Sequence, residues 1–113
     1  SQIVASAEIY DRFAIAAADF ESDDIRLAAP QAADELLSIT GVDASFVVYK
    51  TGNTVNISAR SYGTVNVQII MEKLGGGGHQ TMAATQIPDI TVDEAKFKLK
   101  SAVDDTDYYG KDT

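Results

Sequence analysis

The chain has 113 residues, 45% of them apolar and 23% charged, which suits one domain with room for a core. Seventeen acidic residues against nine scattered basic ones leave a net charge of −8, which excludes a partner that presents a long phosphate backbone; an anionic ligand must be small and held by local groups. No apolar run approaches the ~20 residues of a membrane helix, and without cysteine there is neither a disulfide nor a thiolate metal site, as fits a reducing compartment.

The chain opens at Ser1 with no initiator methionine and no signal-peptide pattern, which predicts an excised domain. From Ala7 to Ala18 the alternation places Ile9, Phe13, Ile15 and Ala17 on one face and predicts a strand. The acidic connector "ESDDIRL" follows. Pro30 then stands at a first helical position with Gly41 just past the end, so a helix is expected from Pro30 to Thr40, with Ala33, Leu36, Leu37 and Thr40 inside.

"ASFVVYKTGNTVNISARS" reads as a hairpin that turns at Thr51-Gly52-Asn53. In its second arm Val55, Ile57 and Ala59 face one way, and Asn56, Ser58 and Arg60 the other. Asn66 is placed to cap a helix carrying Val67, Ile70, Met71 and Leu74, with Gly75 as its stop. "TMAATQI" reads as a strand of small residues. Thr91-Val92-Asp93-Glu94 is a capping box that opens a helix with Ala95, Leu99, Ala102 and Val103 on its inner side. The order of strand, helix, hairpin, helix, strand and helix predicts a single α/β (α+β) domain, a mixed sheet of about five strands with helices packed on its faces.

Two features point to chemistry. The polar row Asn56, Ser58 and Arg60 is either the solvated face of an edge strand or the floor of a cleft, where a guanidinium fork matches phosphate oxygens. Four glycines, Gly75 to Gly78, precede the one histidine of the chain, His79. They form either a flexible joint or a cradle in which backbone N–H groups converge on an anion beside an imidazole donor. The run lacks the Lys-Ser/Thr ending of a Walker loop and the strand-first context of a dinucleotide fingerprint. A lone histidine builds no metal centre, and no Ser-His-Asp or Cys-His set is present.

"NISARSYGTVNVQIIMEKLGGGGHQTMAATQI" resembles the DHH-associated domain at the C-terminal end of DHH phosphoesterases. The shared marks are a strand ending in Arg60-Ser61, a helix, and a Gly-Gly-Gly-His loop followed by Ala83-Ala84. Oligoribonucleases and single-strand exonucleases of the family carry glycine after that alanine pair. Thr85 stands there in this chain. Together with "ADELLSITGVDASFVVYK", that departure is most similar to the membrane-anchored cyclic-di-AMP phosphodiesterases, in which transmembrane helices, a PAS sensor and a degenerate GGDEF domain precede the DHH pair.

The resemblance implies that residues 1–104 are a substrate-binding domain; the acidic, polar composition of 105–113 predicts a disordered tail. It implies an upstream DHH domain, which holds two Mn²⁺ ions and hydrolyses cyclic-di-AMP to pApA; this chain would hold no metal and be inactive alone. It places the domain on the cytoplasmic side of the bacterial cell membrane without membrane contact, and leaves a homodimer open. Arg60, Ser58 and Ser61 would contact a phosphate or base, Gly76, Gly77 and Gly78 would present N–H groups, and His79 would support catalysis by a hydrogen bond to the phosphoryl group. A linear-oligonucleotide phosphodiesterase of the nanoRNase type, the RNA-binding module of an alanyl-tRNA synthetase, and a structural fragment with a flexible joint are the competing expectations.

Overall fold

The computed structural model describes residues 1–107. Its elements in chain order are α1 (Gln2–Ala5), β1 (Glu8–Tyr10), β2 (Phe13–Ala18), α2 (Ile25–Leu36), β3 (Ala44–Thr51), β4 (Thr54–Ser61), α3 (Val67–Lys73), β5 (Gly77–Gly78), β6 (Met82–Pro88) and α4 (Val92–Asp104). Six strands form one mixed sheet in the order β1-β2-β3-β4-β6-β5. β2 and β3 run parallel, joined by the α2 crossover, and the other neighbours are antiparallel.

The two faces bury different cores. Phe13, Ile15, Phe46, Val48, Val55 and Ile57 point to the side where α3 and α4 pack, and Phe13 meets Phe46 edge to face at 6.0 Å. Ala14, Ala16, Ala18 and Val47 point to the other side, under α1 and α2. Alanine on β2 lets α2 approach the sheet closely, and Ser45 Oγ donates to the Ala33 carbonyl at 2.6 Å to tie them together.

The sequence misplaces three stretches. The strand expected over residues 7–18 is a hairpin, because Asp11 adopts φ 56° and turns the chain so that Tyr10 pairs with Phe13. Ile9 therefore lies opposite Ala14, not on the Phe13 face, and is 58% exposed. The second helix starts at Ile25, not Pro30, and ends at Leu36. Pro30 lies inside it and forgoes a bond that an N–H would make to the turn before, a loss offset by the burial of Ile25 and Ala29. Thr40 lies beyond the helix and is exposed, while Ala33, Leu36 and Leu37 are buried. The third difference is β5: the last two glycines of the run pair with β6 as a strand.

Where local signals were strong, expectation and structure agree. Asn66 Oδ1 accepts from the Gln68 N–H at 3.0 Å at the start of α3, and Gly75 at φ 84° ends that helix's last turn. Thr91 and Glu94 complete the capping box of α4, which buries Ala95, Leu99, Ala102 and Val103. Lys100 and Lys96 pair with Glu8 at 3.1 and 3.4 Å and tie α4 to β1; the Lys100 hydrogen bond is the main cause that holds the Glu8 carboxyl below its ordinary pKa. At the start of the expected tail, the Lys73 ammonium donates to the Asp105 carbonyl at 2.8 Å, and Thr106 is buried. The rest of that expectation, residues 108–113, lies outside the described residues.

Thr91→Ala removes the cap hydroxyl and leaves the Glu94 N–H without its partner. We expect a loss of about 1 kcal/mol in unfolding free energy by urea denaturation with the fold otherwise retained. No change would show that α4 is held by packing alone.

Candidate functional site

β4 lies between β3 and β6, so its polar side chains are not those of an edge strand. Strand register sets their neighbours. Ser58 lies between Val47 and Ala84, with Gly77 beyond; Arg60 lies between Ser45 and Met82. All of these share the face on which α2 packs. α2 covers β2 and β3 and reaches β4 at Asp34, and past that line the sheet is open. Met82 is 52% exposed and Gln86 is exposed on the same face. This uncovered half of a sheet face, bordered by α2 on one side and the glycine run on the other, is the candidate site.

The glycine run is built by close contact. A Cβ on Gly76 would lie 2.1 Å from the Ala84 carbonyl oxygen and 2.5 Å from Thr85 Cβ. A Cβ on Gly78 would lie 2.5 Å from both Met82 O and Ala83 Cα, and its φ is +141°. The run therefore lies directly against β6. Thr85 Oγ1 donates to the Leu74 carbonyl at 2.8 Å, which satisfies an orphan acceptor at the end of α3.

This arrangement changes what the glycine N–H groups can do. The Gly76 N–H donates to the Met71 carbonyl at 2.9 Å and is not offered to a ligand. His79 and Met82 exchange both backbone bonds, N–H to O at 2.7 and 3.3 Å. By the alternation of an antiparallel ladder, Gly77 and Ala84 form the next bonded pair, and Gly78 between them turns its N–H outward. One outward N–H replaces the three expected.

The same exchange places His79 across from Met82, so Arg60, Met82 and His79 stand in one row over β4, β6 and β5. With strands about 4.8 Å apart, the Arg60 and His79 backbones are about 10 Å apart, with the Met82 side chain between them. His79 is exposed. The Arg60 side chain is only 12% exposed and is drawn toward α2. Its Nη1 donates to the Ala59 carbonyl at 2.9 Å, and its Nε lies 3.2 Å from Asp34 Oδ1. That pair is close in charge but misaligned, so the buried Nε–H has no hydrogen-bond acceptor.

Of the other expected residues, Ser58 is 5% exposed at the seam between the helix layer and the open half. Ser61 does not reach this face. It is paired with Ala44 on the α3 side, where its hydroxyl donates to the Val65 carbonyl at 2.7 Å and accepts from the Gly63 N–H at 3.2 Å. Ser61 shapes the β4–α3 loop. Asn56 shares the Ser58 face but is 3% exposed and donates to Thr51 Oγ1 at 2.8 Å. Two residues went unseen in the sequence. Met82 was signalled by its alternation with buried Ala83; Asp34 had no signal, since its pairing crosses from helix to sheet.

The DHHA1 domain family matches residues 11–106. The chain is 51% identical over 106 residues to the cyclic-di-AMP phosphodiesterase PdeA of Listeria monocytogenes, covering 92% of this chain and 16% of that protein. It is 60% identical over 76 residues to the cyclic-di-AMP phosphodiesterase GdpP of Geobacillus thermodenitrificans, covering 66% of this chain and 12% of that one. Among solved structures, an exopolyphosphatase-related protein from Bacteroides fragilis superposes with a TM-score of 0.78 at 19% identity, over 91% of this chain and 32% of that one. The chain belongs to the DHHA1 domain family, and it spans about one sixth or less of the length of the two phosphodiesterases.

The glycine contacts give a test within one loop. Gly76→Ala should lower unfolding free energy by about 1–3 kcal/mol or more, because the new methyl meets backbone. Gly77→Ala should be close to neutral, since its Cβ would meet nothing within 4 Å. Equal stability of the two variants in denaturant would contradict the packing described.

Proposed function

We propose that this DHHA1 domain is the substrate-binding half of a longer phosphodiesterase that hydrolyses cyclic-di-AMP to pApA. One observation carries the reading: the uncovered half of the sheet face presents Arg60 and His79 in a single row on either side of Met82. A guanidinium fork suits a phosphodiester oxygen, and the buried Arg60 Nε–H, which has no acceptor among its neighbours, becomes available to one when the side chain turns from α2 toward the open half. The outward Gly78 N–H and the exposed His79 imidazole supply neutral-amide and ring donors at the opposite rim, and Met82 offers an apolar, polarisable shelf between them for a base. The names of the two relatives support the substrate class. Thr85 does not, since its side chain faces the α3 core and not this cleft.

Among the described residues no three His, Asp or Glu side chains converge to hold a metal ion. The Mn²⁺ pair therefore finds no fit here and is assigned, in this reading, to the DHH half of the longer protein. The task of this chain is to bind and orient the dinucleotide and to place donors where phosphoryl charge develops. Among the described residues no helix is long and apolar enough to cross a membrane. The anchor at the cytoplasmic face, like the metals, is proposed for the longer protein. The charge of −8 counts against an RNA-binding synthetase module.

Two experiments test this. The 113-residue chain alone, incubated with cyclic-di-AMP and Mn²⁺, should leave the substrate intact; turnover by the pure chain would refute the division of labour. In the longer enzyme, Arg60→Ala should cost about 10- to 150-fold in kcat/KM, as for a hydrogen bond to a charged group. His79→Ala should lower kcat more than it raises KM, if its contact strengthens toward the transition state. Exposed His79 contributes nothing to Tm in this account, and the Arg60 pair with solvated Asp34 contributes about 1 kcal/mol at most. Unchanged kinetics in both variants would overturn the site.

A further inference from the structure

The counter-ion of Arg60 is unusual for its placement. Asp34 projects from the border of α2, its side chain 65% exposed, while the guanidinium it pairs with is 12% exposed. An ion pair with one solvated partner adds little to stability. Nor does Asp34 satisfy the arginine, because the Nε–H at 3.2 Å remains without an acceptor. The solvated carboxylate thus sits beside a buried donor that has no acceptor, at the boundary between the α2 layer and the open half of the sheet.

Resting on the nucleotide-binding reading above, we propose that Asp34 is a specificity-determining residue, a fixed negative charge that makes Arg60 discriminate between phosphodiesters and phosphomonoesters. A phosphodiester carries one negative charge and can share the guanidinium with Asp34. A terminal phosphomonoester carries about −1.5 to −2 at neutral pH and meets roughly twice the repulsion from the same carboxylate. The consequence follows from the chemistry of hydrolysis. Water opens one phosphodiester of a cyclic dinucleotide into a free 3′-hydroxyl and a terminal 5′-phosphomonoester. The extra charge appears only in the product, where it also strengthens the pull of Arg60; Asp34 offsets that added pull, so the new phosphate end gains little over the intact diester.

The test uses the 113-residue chain, whose two cores close within it, and a matched pair of probes with the same base: 3′,5′-cyclic AMP as the diester and 5′-AMP as the monoester. Affinity is read at pH 7.5 and low salt from the Arg60 Nε–H resonance, in the wild type, Asp34→Asn and Asp34→Glu. Asp34→Asn should tighten 5′-AMP by about three- to tenfold and cyclic AMP by clearly less. Asp34→Glu should keep the wild-type ratio. The gain should shrink at high salt, which a purely structural role would not produce. Equal tightening of both probes, or none, with the resonance still responding to nucleotide, overturns the Asp34 inference and leaves the cleft standing. A resonance that neither probe moves in any variant overturns the cleft reading and this inference together. Exposed Asp34 should tolerate both changes with a loss of at most several degrees in Tm, as expected for an ion pair with one solvated partner, and a collapse in Tm would show that it is a structural residue instead.

Discussion

The site depends on the contact between Gly76 and β6. Any side chain at that position would collide with the Ala84 carbonyl and with Thr85, so only glycine lets the chain leaving α3 drop against the sheet at once. That approach creates β5, and the pairing of β5 fixes His79 opposite Met82. A longer or bulkier connection would leave the imidazole on a loop of no fixed register. The glycine run is thus a packed edge, neither a tether nor an open nest of N–H groups.

A second constraint comes from the unequal covering of the sheet. α3 and α4 bury the large side chains of one face, and this core carries most of the apolar burial. On the other face the alanines of β2 accept α2 tightly, and the helix layer stops over β4. Ser58 and Arg60 fall at the boundary. The guanidinium there is largely desolvated, the setting in which a charge-assisted hydrogen bond has most effect. Fold and candidate site are therefore the two consequences of one asymmetry: one face is covered by α3 and α4 and holds the domain together, and the half-covered face leaves the candidate site open.

Much of this was legible in the sequence where a local rule decides the outcome. The Thr91–Glu94 box, the Asn66 cap and the alternation through β4 each depend on neighbours within a few residues, and each was found. The failures share a different cause. Asp11 turns the chain at positive φ without glycine to announce it, Pro30 is carried inside a helix by the burial around it, and two glycines act as a strand only because β6 is there to pair with. Ser58, Arg60 and His79 were placed together by family resemblance, and the register gives a physical reason for Arg60 and His79 to share a row. Ser61 is the neighbour of Arg60 in sequence, but adjacent strand residues point to opposite faces, and its hydroxyl closes a loop on the α3 side. Asp34 carries no local signal, because only tertiary structure joins the last turn of α2 to the end of β4.

The proposed dinucleotide site is the open half of the sheet face and no other surface. Backbone and side-chain NMR of the 113-residue chain titrated with pApA tests it most directly. The account predicts weak binding, with shift changes confined to Arg60, Gly77 to His79, Met82 and Ala84, and silence on the outer face of α4 around exposed Phe97. Shift changes centred on Phe97, or spread without a focus while the Arg60–His79 row stays silent, would contradict it.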